Sequence, residues 1–501
     1  MEKSDTLTSA AINPLVSAKN IELFYWAGAL VATLAVRLCL FFAEYSIHGD
    51  GIRYIDAARD FYEGRWAEGL GSFYPPFFPL LIAVGYPITG DWELAGRLWP
   101  FLFSIAMLAP LWAALQRLYG VHIAGIGLLI YGVSPYLARF AVDVRTEVPY
   151  TFFFLTAIYF FLKAIASAGR AAFFFGGASA ALAYLQRPEG IGLVMVGCAY
   201  LALRPWGGGS ARMVWQGLAL LLIGFFLFAA PYILYLRWDS GGWTISRKTA
   251  NVLAIGMTTY DKEIDSVRRE ASDKTDALNL VTSRPLIFIK KVVIDGFRTW
   301  DAYATALHFS ALPFLLLGWI VWFRGRFWEK DDFFLLAVIA FYFAVFSIFF
   351  PSRRFTTPLV PISLGWVGLG FMSLDGYFRS RLSPSRAVVA MGFVVVLFVA
   401  ATLPKTLKGI GDKPSGRAAA AYLEAKPNRP LILTNRPQIA FYTPDSRVVQ
   451  ARAEEFFDRL AAVAPDYLVV DDELFEREAE RLGESGWSVE RRFHHFTIMR
   501  R

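Results

Sequence analysis

Apolar runs of roughly membrane-crossing length recur along the first four-fifths of the chain, at about 22–43, 94–117, 121–138, 148–168, 171–186, 189–204, 214–236, 302–323, 332–350, 356–375 and 386–404. About 20 apolar residues in a helix span the hydrocarbon core of a bilayer. The runs at 171–186 and 189–204 are short, and tilt or neighbouring helices would have to complete them. The pattern predicts an all-α polytopic membrane domain over 1–404 with about 11 transmembrane helices. The first run is too long for the apolar core of a signal peptide and reads as a retained anchor. The segment 73–90 is apolar but interrupted by Pro75, Pro76, Pro79 and Pro87, so it reads as an interfacial or re-entrant element. Long loops are then expected at about 44–92 and 238–300.

The pattern changes at about 405. Short helical and strand-like stretches alternate from there: helices over Ala418–Ala425, Ala453–Ala462 and Glu473–Leu482, and strands over Pro430–Thr434, Tyr467–Val470, Ser488–Arg492 and Phe496–Met499. This predicts a small C-terminal α/β domain over 405–501. Composition agrees with the division. The chain is 56% hydrophobic and 18% charged, against about 25% charged in soluble domains. The last fifth nevertheless carries about a third of the charged residues. No internal repeat is evident, which disfavours a repeat-built transporter.

The net charge of +8 does not imply a nucleic-acid partner, because the basic residues are dispersed among short loops. One set of loops holds Lys3, Lys19, Arg117, Lys163, Arg170, Arg204, Arg212, Arg324, Arg326, Lys330, Arg379, Arg381 and Arg386. The other holds Asp50, Asp56, Asp60, Asp143, Glu147 and Glu189, with some arginines. Short basic loops face the cytoplasm. The N-terminus is therefore expected inside and the C-terminal domain outside.

The candidate chemistry lies in the outer set. Asp50, within Gly49-Asp50-Gly51-Ile52-Arg53-Tyr54, follows the first span directly, and it serves either as a reactive acid or as a helix N-cap for 51–62. Asp143 and Glu147 share one face if their segment is helical; a polar loop with a local pair to Arg145 is the other reading. Arg187, Arg353, Arg354, Lys248, Lys290 and Lys291 are outer cations, either ligands or interfacial side chains that snorkel to water. Cys39 and Cys198 lie in apolar runs and give no disulfide framework. Gly207-Gly208-Gly209 lacks the residues of a phosphate loop and reads as a cytoplasmic turn. His494-His495 reads as a strand or surface pair.

Several motifs together resemble one family: Asp50-x-x-Arg53-Tyr54, Tyr74-Pro75-Pro76-Phe77-x-Pro79-Leu80, Arg145-Thr146-Glu147-x-Pro149-Tyr150, Gln186-Arg187-Pro188-Glu189-Gly190 and Arg354-Phe355-x-x-Pro358. In order and sidedness they resemble the GT-C superfamily, and more narrowly the family-39-like bacterial relatives of protein O-mannosyltransferases and aminoarabinose transferases. The resemblance implies a polyprenyl-phosphate sugar donor and inverting transfer to an acceptor hydroxyl at the outer membrane face. It implies Asp50 as the general base, with Glu147 or Asp143 positioning acceptor or sugar. Arg53, Arg187 and Arg354, with Arg353 in reserve, would hold the donor phosphate, and Tyr54 and Tyr74 would position substrate. The sequence departs from both named branches. Gly51 stands where protein O-mannosyltransferases typically carry Glu, and Tyr74 where aminoarabinose transferases typically carry Lys. The acceptor is accordingly a glycolipid, polysaccharide or protein. No cofactor is expected: a divalent metal is a disfavoured option, since His48 lacks a paired histidine. The competing readings are a lipid-linked glycan flippase or a polysaccharide polymerase.

Overall fold

The computed structural model describes residues 18–43, 45–167, 169–203, 211–260, 281–324, 331, 333–408, 415–427, 429–451, 453 and 455–501. Lys3, Arg204, Gly207-Gly208-Gly209, Arg326 and Lys330 lie outside the described residues. Each of the eleven apolar runs is largely helical. Among the described residues, six helices are long and apolar enough to cross a membrane. A seventh is counted if the pair Pro285–Leu307 and Phe309–Phe323, bent by 90°, is taken as one span. The runs at 121–138, 189–204 and 332–350 form shorter helices, Val121–Val133, Ile191–Leu203 and Phe333–Ile348. The run at 171–186 forms Arg170–Tyr184.

The run at 302–323 is not one helix. It breaks at His308, whose φ is 80°, just before Pro313 in the first turn of the next helix. Proline supplies no N–H to an incoming helix, so the first helix must end upstream. That first helix also begins at Pro285, inside the segment expected to be a loop. Leu286, Ile289, Val293, Phe297 and Trp300 are exposed on it at a 3-4-4-3 spacing, which is a single helical stripe. Lys291, Asp295 and Thr299 are buried on another face. Lys291 pairs with Asp295 at 2.9 Å and donates to the Ser347 and Ile348 carbonyls. Apolar outside and charged inside is the polarity expected of a helix facing lipid.

The segment 44–92 is also more structured than a loop. It contains helices Gly49–Tyr62, Trp66–Leu70 and Phe77–Thr89. Ile52, Tyr54, Ile55, Tyr74, Phe78 and Ile82 form a separate small core there. Arg37, buried within the first span, donates to the Gly132 and Tyr131 carbonyls. Both carbonyls lie in the last turn of helix Val121–Val133, which stops ahead of Pro135, and that of Tyr131 also accepts the Ser134 N–H. The charge of Arg37 thus has a structural partner set within the helix bundle.

The C-terminal domain is a five-stranded sheet, β1 Leu431–Thr434, β2 Arg447–Gln450, β3 Tyr467–Asp471, β4 Ser488–Phe493 and β5 Phe496–Arg500, in the order β2-β1-β3-β5-β4. The first three are parallel, and β4 and β5 run antiparallel. Successive residues of β1, β3 and β5 feed two cores, Leu433, Leu468 and Met499 on one face and Ile432, Val469 and Ile498 on the other. Strand β2 and helix Pro437–Tyr442 carry no strong apolar run and were not expected from the sequence. That helix anchors the domain to the membrane body. The Ile47 N–H donates to the Tyr442 hydroxyl at 2.7 Å, and Arg417 pairs with buried Glu93 at 2.7 Å.

Close helix crossings hold the bundle. A Cβ on Gly318 would lie 1.8 Å from the Trp366 carbonyl oxygen, and one on Gly370 would lie 2.0 Å from that of Phe314. Small residues in facing positions are how membrane helices approach this closely. Gly318→Leu is expected to force helices Leu312–Phe323 and Val360–Arg381 apart at a cost of about 3 kcal/mol. Thermal unfolding in detergent checks this, and a parental melting temperature would contradict the crossing.

Candidate functional site

Helix Gly49–Tyr62 starts by a local device. His48 precedes it in extended conformation, and its Nδ1 accepts the Asp50 N–H at 3.2 Å. Asp50 thus sits in the first turn, where the helix dipole favours a carboxylate. The Tyr74 hydroxyl donates to Asp50 Oδ1 at 2.7 Å, and Arg354 Nη1 donates to Oδ2 at 2.8 Å. Tyr74 is aimed by Pro75-Pro76 and by the Phe77 N–H, which donates to the Leu185 carbonyl at 3.1 Å. That bond ties the first outer segment to the turn carrying Arg187.

Glu147 is the first residue of its helix and is fully buried. Arg354 Nε donates to its Oε1, and Arg187 approaches the same oxygen at 3.5 Å. The other carboxylate oxygen, Oε2, is buried without a hydrogen-bond partner. Arg187 also donates to Glu189 at 3.2 Å. Arg354 itself lies on the short helix Arg353–Thr356, capped by Ser352. One guanidinium therefore bridges two carboxylates that are far apart in sequence, and a second guanidinium supports the bridge. Burial alone would raise the Asp50 carboxyl, but Arg354 and Tyr74 override it and hold the group well below the usual carboxylate range.

Of the residues singled out from the sequence, Asp50, Glu147, Arg187, Arg354 and Tyr74 meet in this network. Tyr54 lies behind it, its ring 4.4 Å from that of Tyr74 and its hydroxyl 3.4 Å from Thr146. Arg53 is exposed on the same helix and reaches Tyr74. Arg353 is exposed and donates weakly to the Tyr136 hydroxyl at 3.4 Å. Asp143 does not share a helical face with Glu147. The helix begins only at Glu147, so Asp143 lies on an irregular turn, paired with Arg145 at 3.2 Å.

Two groups join the network that sequence reading left among loop charges. Glu189 is the partner of Arg187. Lys248, from the second outer segment, stands 3.6 Å above the centre of the Tyr74 ring. Burial lowers its amine to about 7, against the pull of Glu189. The only signal for Lys248 in the sequence was its side of the membrane, which it shared with many other residues.

Two cavities flank the network. One of about 590 Å3 is lined by Arg354, Arg353, Arg298, Asp295, Asp301 and apolar neighbours. The other, of about 430 Å3, lies between His48, the Asp143–Arg145 turn and the C-terminal domain. Among the described residues, no group of three or more His, Cys, Asp or Glu is arranged to hold a metal ion.

This architecture has known counterparts. Residues 74–235 match the model of the dolichyl-phosphate-mannose-protein mannosyltransferase family. No curated protein sequence matches the chain. Among solved structures, ArnT from Cupriavidus metallidurans bound to undecaprenyl phosphate is similar at 16% identity and a TM-score of 0.55, over 96% of this chain and 98% of that one. Its apo state gives 17% and 0.57, over 97% and 98%. The Archaeoglobus fulgidus oligosaccharyltransferase AglB, in complex with an inhibitory peptide and a dolichol-phosphate, gives 11% and 0.56, over 91% of this chain and 70% of that one. Glu147 and Arg187 fall inside the family-matched segment, and Asp50 and Arg354 outside it. The match to the mannosyltransferase family covers residues 74–235, and the polytopic helical fold of the whole chain is like that of ArnT and AglB.

Proposed function

We propose that the protein transfers a sugar from a polyprenyl-phosphate donor to an acceptor hydroxyl at the outer face of the cytoplasmic membrane, with inversion. The observation that carries this reading is the bridge from Asp50 through Arg354 to Glu147, bordered by a cavity with three arginines. The undecaprenyl phosphate and dolichol-phosphate of the similar structures support the donor class.

The acceptor oxygen attacks the anomeric carbon as Asp50 takes its proton. The bond between that carbon and the phosphate oxygen breaks, and the polyprenyl phosphate leaves with one more negative charge. Arg354 and Arg353 face this charge and stabilise it as it develops. Glu147 and Arg187 hold Arg354 in place rather than touching the sugar. Asp50 paired with Arg354 is ionised but weakly basic. Donor phosphate competes for the guanidinium, so donor binding loosens the pair and raises the basicity of Asp50 when it is needed.

Asp50→Asn removes the base and is expected to slow transfer roughly 10²–10⁴-fold, measured with labelled polyprenyl-phosphate sugars and a membrane extract. Parental turnover in this variant would refute the mechanism. Lys248 faces Tyr74, Glu189, Arg187, Asp50 and Arg354, and it is charged below about pH 7 and neutral above. Undecaprenyl phosphate should therefore bind about tenfold more weakly as pH rises through 7, and Lys248→Arg should flatten that profile. Titration of binding between pH 6 and 9 checks both, and a flat parental profile would remove Lys248 from the donor site. Orientation follows from the loop charges: a reporter fused after Arg501 is expected to be active only outside the cytoplasm.

A further inference from the structure

The cavity beneath the C-terminal domain shares no lining residue with the arginine-rich one. They reach the same carboxylate through different neighbours, Arg354 on one side and His48 on the other. His48 Nδ1 is 3.9 Å from Asp50 Oδ2. The lining of the second cavity carries four acids against two arginines. Arg145 holds Asp143 at 3.2 Å and Arg436 holds Asp471, while Asp472, 3.5 Å from the His495 ring, and Glu473 are in excess. Such walls do not attract an anion, and they present many donors and acceptors in fixed directions. Gln438 Oε1 is buried at this wall with no hydrogen-bond partner, which leaves an acceptor for an incoming hydroxyl. Glu473 supplies a further carboxylate. A lipid phosphate would find acids on both walls; a neutral, hydroxyl-rich molecule would find complementary groups.

We infer that this cleft is the acceptor subsite and binds the sugar units of a glycan acceptor, so that the C-terminal domain selects what is glycosylated. The inference rests on the transfer reaction proposed above and names its acceptor class. The glycan lies between the domain and the first outer segment, with one hydroxyl delivered past His48 to Asp50. Helix Pro437–Tyr442 both docks the domain through Tyr442 and contributes Gln438, so occupancy and docking are coupled.

The test uses the full chain in nanodiscs and water-soluble glycans released by mild acid from membranes of the producing cells. Hydrogen exchange is followed across Pro437–Tyr442 and the His494-His495 turn, with and without glycan. Exchange in both segments is expected to slow in the parent and equally in Asp50→Asn, in which transfer is strongly slowed. Glu473→Ala and Gln438→Ala each lose a hydrogen bond to the glycan and should need about tenfold more of it for the same protection. Absence of slowing with every glycan fraction overturns the inference. Parental glycan dependence in both variants overturns it too, and slowing by a secreted-protein fraction in place of glycan overturns the acceptor class. Slowing by glycan in a protein that consumes no polyprenyl-phosphate sugar would support the cleft and defeat the transfer reading, so the two fail separately.

Discussion

Arg354 is the side chain on which the end of the bundle nearest the C-terminal domain depends. Its guanidinium joins Asp50, at the start of helix Gly49–Tyr62, to Glu147, at the start of a long membrane helix. Each carboxylate gains from a helix N-terminus as well as from the cation. Glu147 is fully buried, so removing its cations would strand an uncompensated charge, a change that typically costs 3–5 kcal/mol. The ion pairs therefore fix the register of three chain segments, 49–62, 147–167 and 353–356, against one another. Tyr74 and the Phe77 to Leu185 hydrogen bond extend the constraint to the proline-rich segment and the Arg187 turn. A geometry specified by charge at a membrane edge suits a reaction that moves charge there.

Two intramembrane cations have partners inside the bundle. Arg37 donates to two carbonyls of a neighbouring helix, and Lys291 is consumed by Asp295 and two carbonyls. Arg37 Nε has no hydrogen-bond partner, and neither have Glu147 Oε2 and Glu189 Oε2 in the network around Asp50. Buried polar atoms without partners are costly. Glu147 and Glu189 hold theirs within the network that Arg354 and Arg187 assemble.

Much of this was legible in the chain. Apolar runs located the membrane helices apart from the first part of Pro285–Leu307, because burial in lipid demands long uninterrupted runs. The ends were less legible: His308 breaks a run that is continuous in composition, and the Pro285–Leu307 helix is masked by Lys290, Lys291, Asp295 and Arg298, whose charges lower any averaged hydropathy although Lys291 and Asp295 neutralise each other at i and i+4. In the tail, strand β2 is half exposed and lacks the apolar run that disclosed β1 and β3. Motif order brought Asp50, Glu147, Arg187 and Arg354 to notice, and three-dimensional contact gathers them. Asp143 was set beside Glu147 by assuming a helix that begins four residues too late for it. Lys248 could not be chosen, because its partners, Tyr74 and Glu189, come from distant segments and only folding makes them neighbours.

The depressed basicity of Asp50 is at first sight the wrong property for a base. A carboxylate held far below its ordinary range by Arg354 takes a proton poorly, and optimal general bases titrate near the working pH. The difficulty is resolved by the second face of the same guanidinium, which lines the cavity where the donor phosphate is proposed to bind. A phosphate is the stronger partner for arginine, since it offers more charge and matching bidentate geometry. Its arrival takes from Asp50 the interaction that suppressed its basicity, while burial, which opposes ionisation, remains. In the proposed mechanism the empty site keeps Asp50 idle and water unactivated, and Asp50 becomes competent as a base only when there is a leaving group to expel. A single arginine shared between the carboxylate and the phosphate is sufficient for that ordering, with no movement of the helices that carry them.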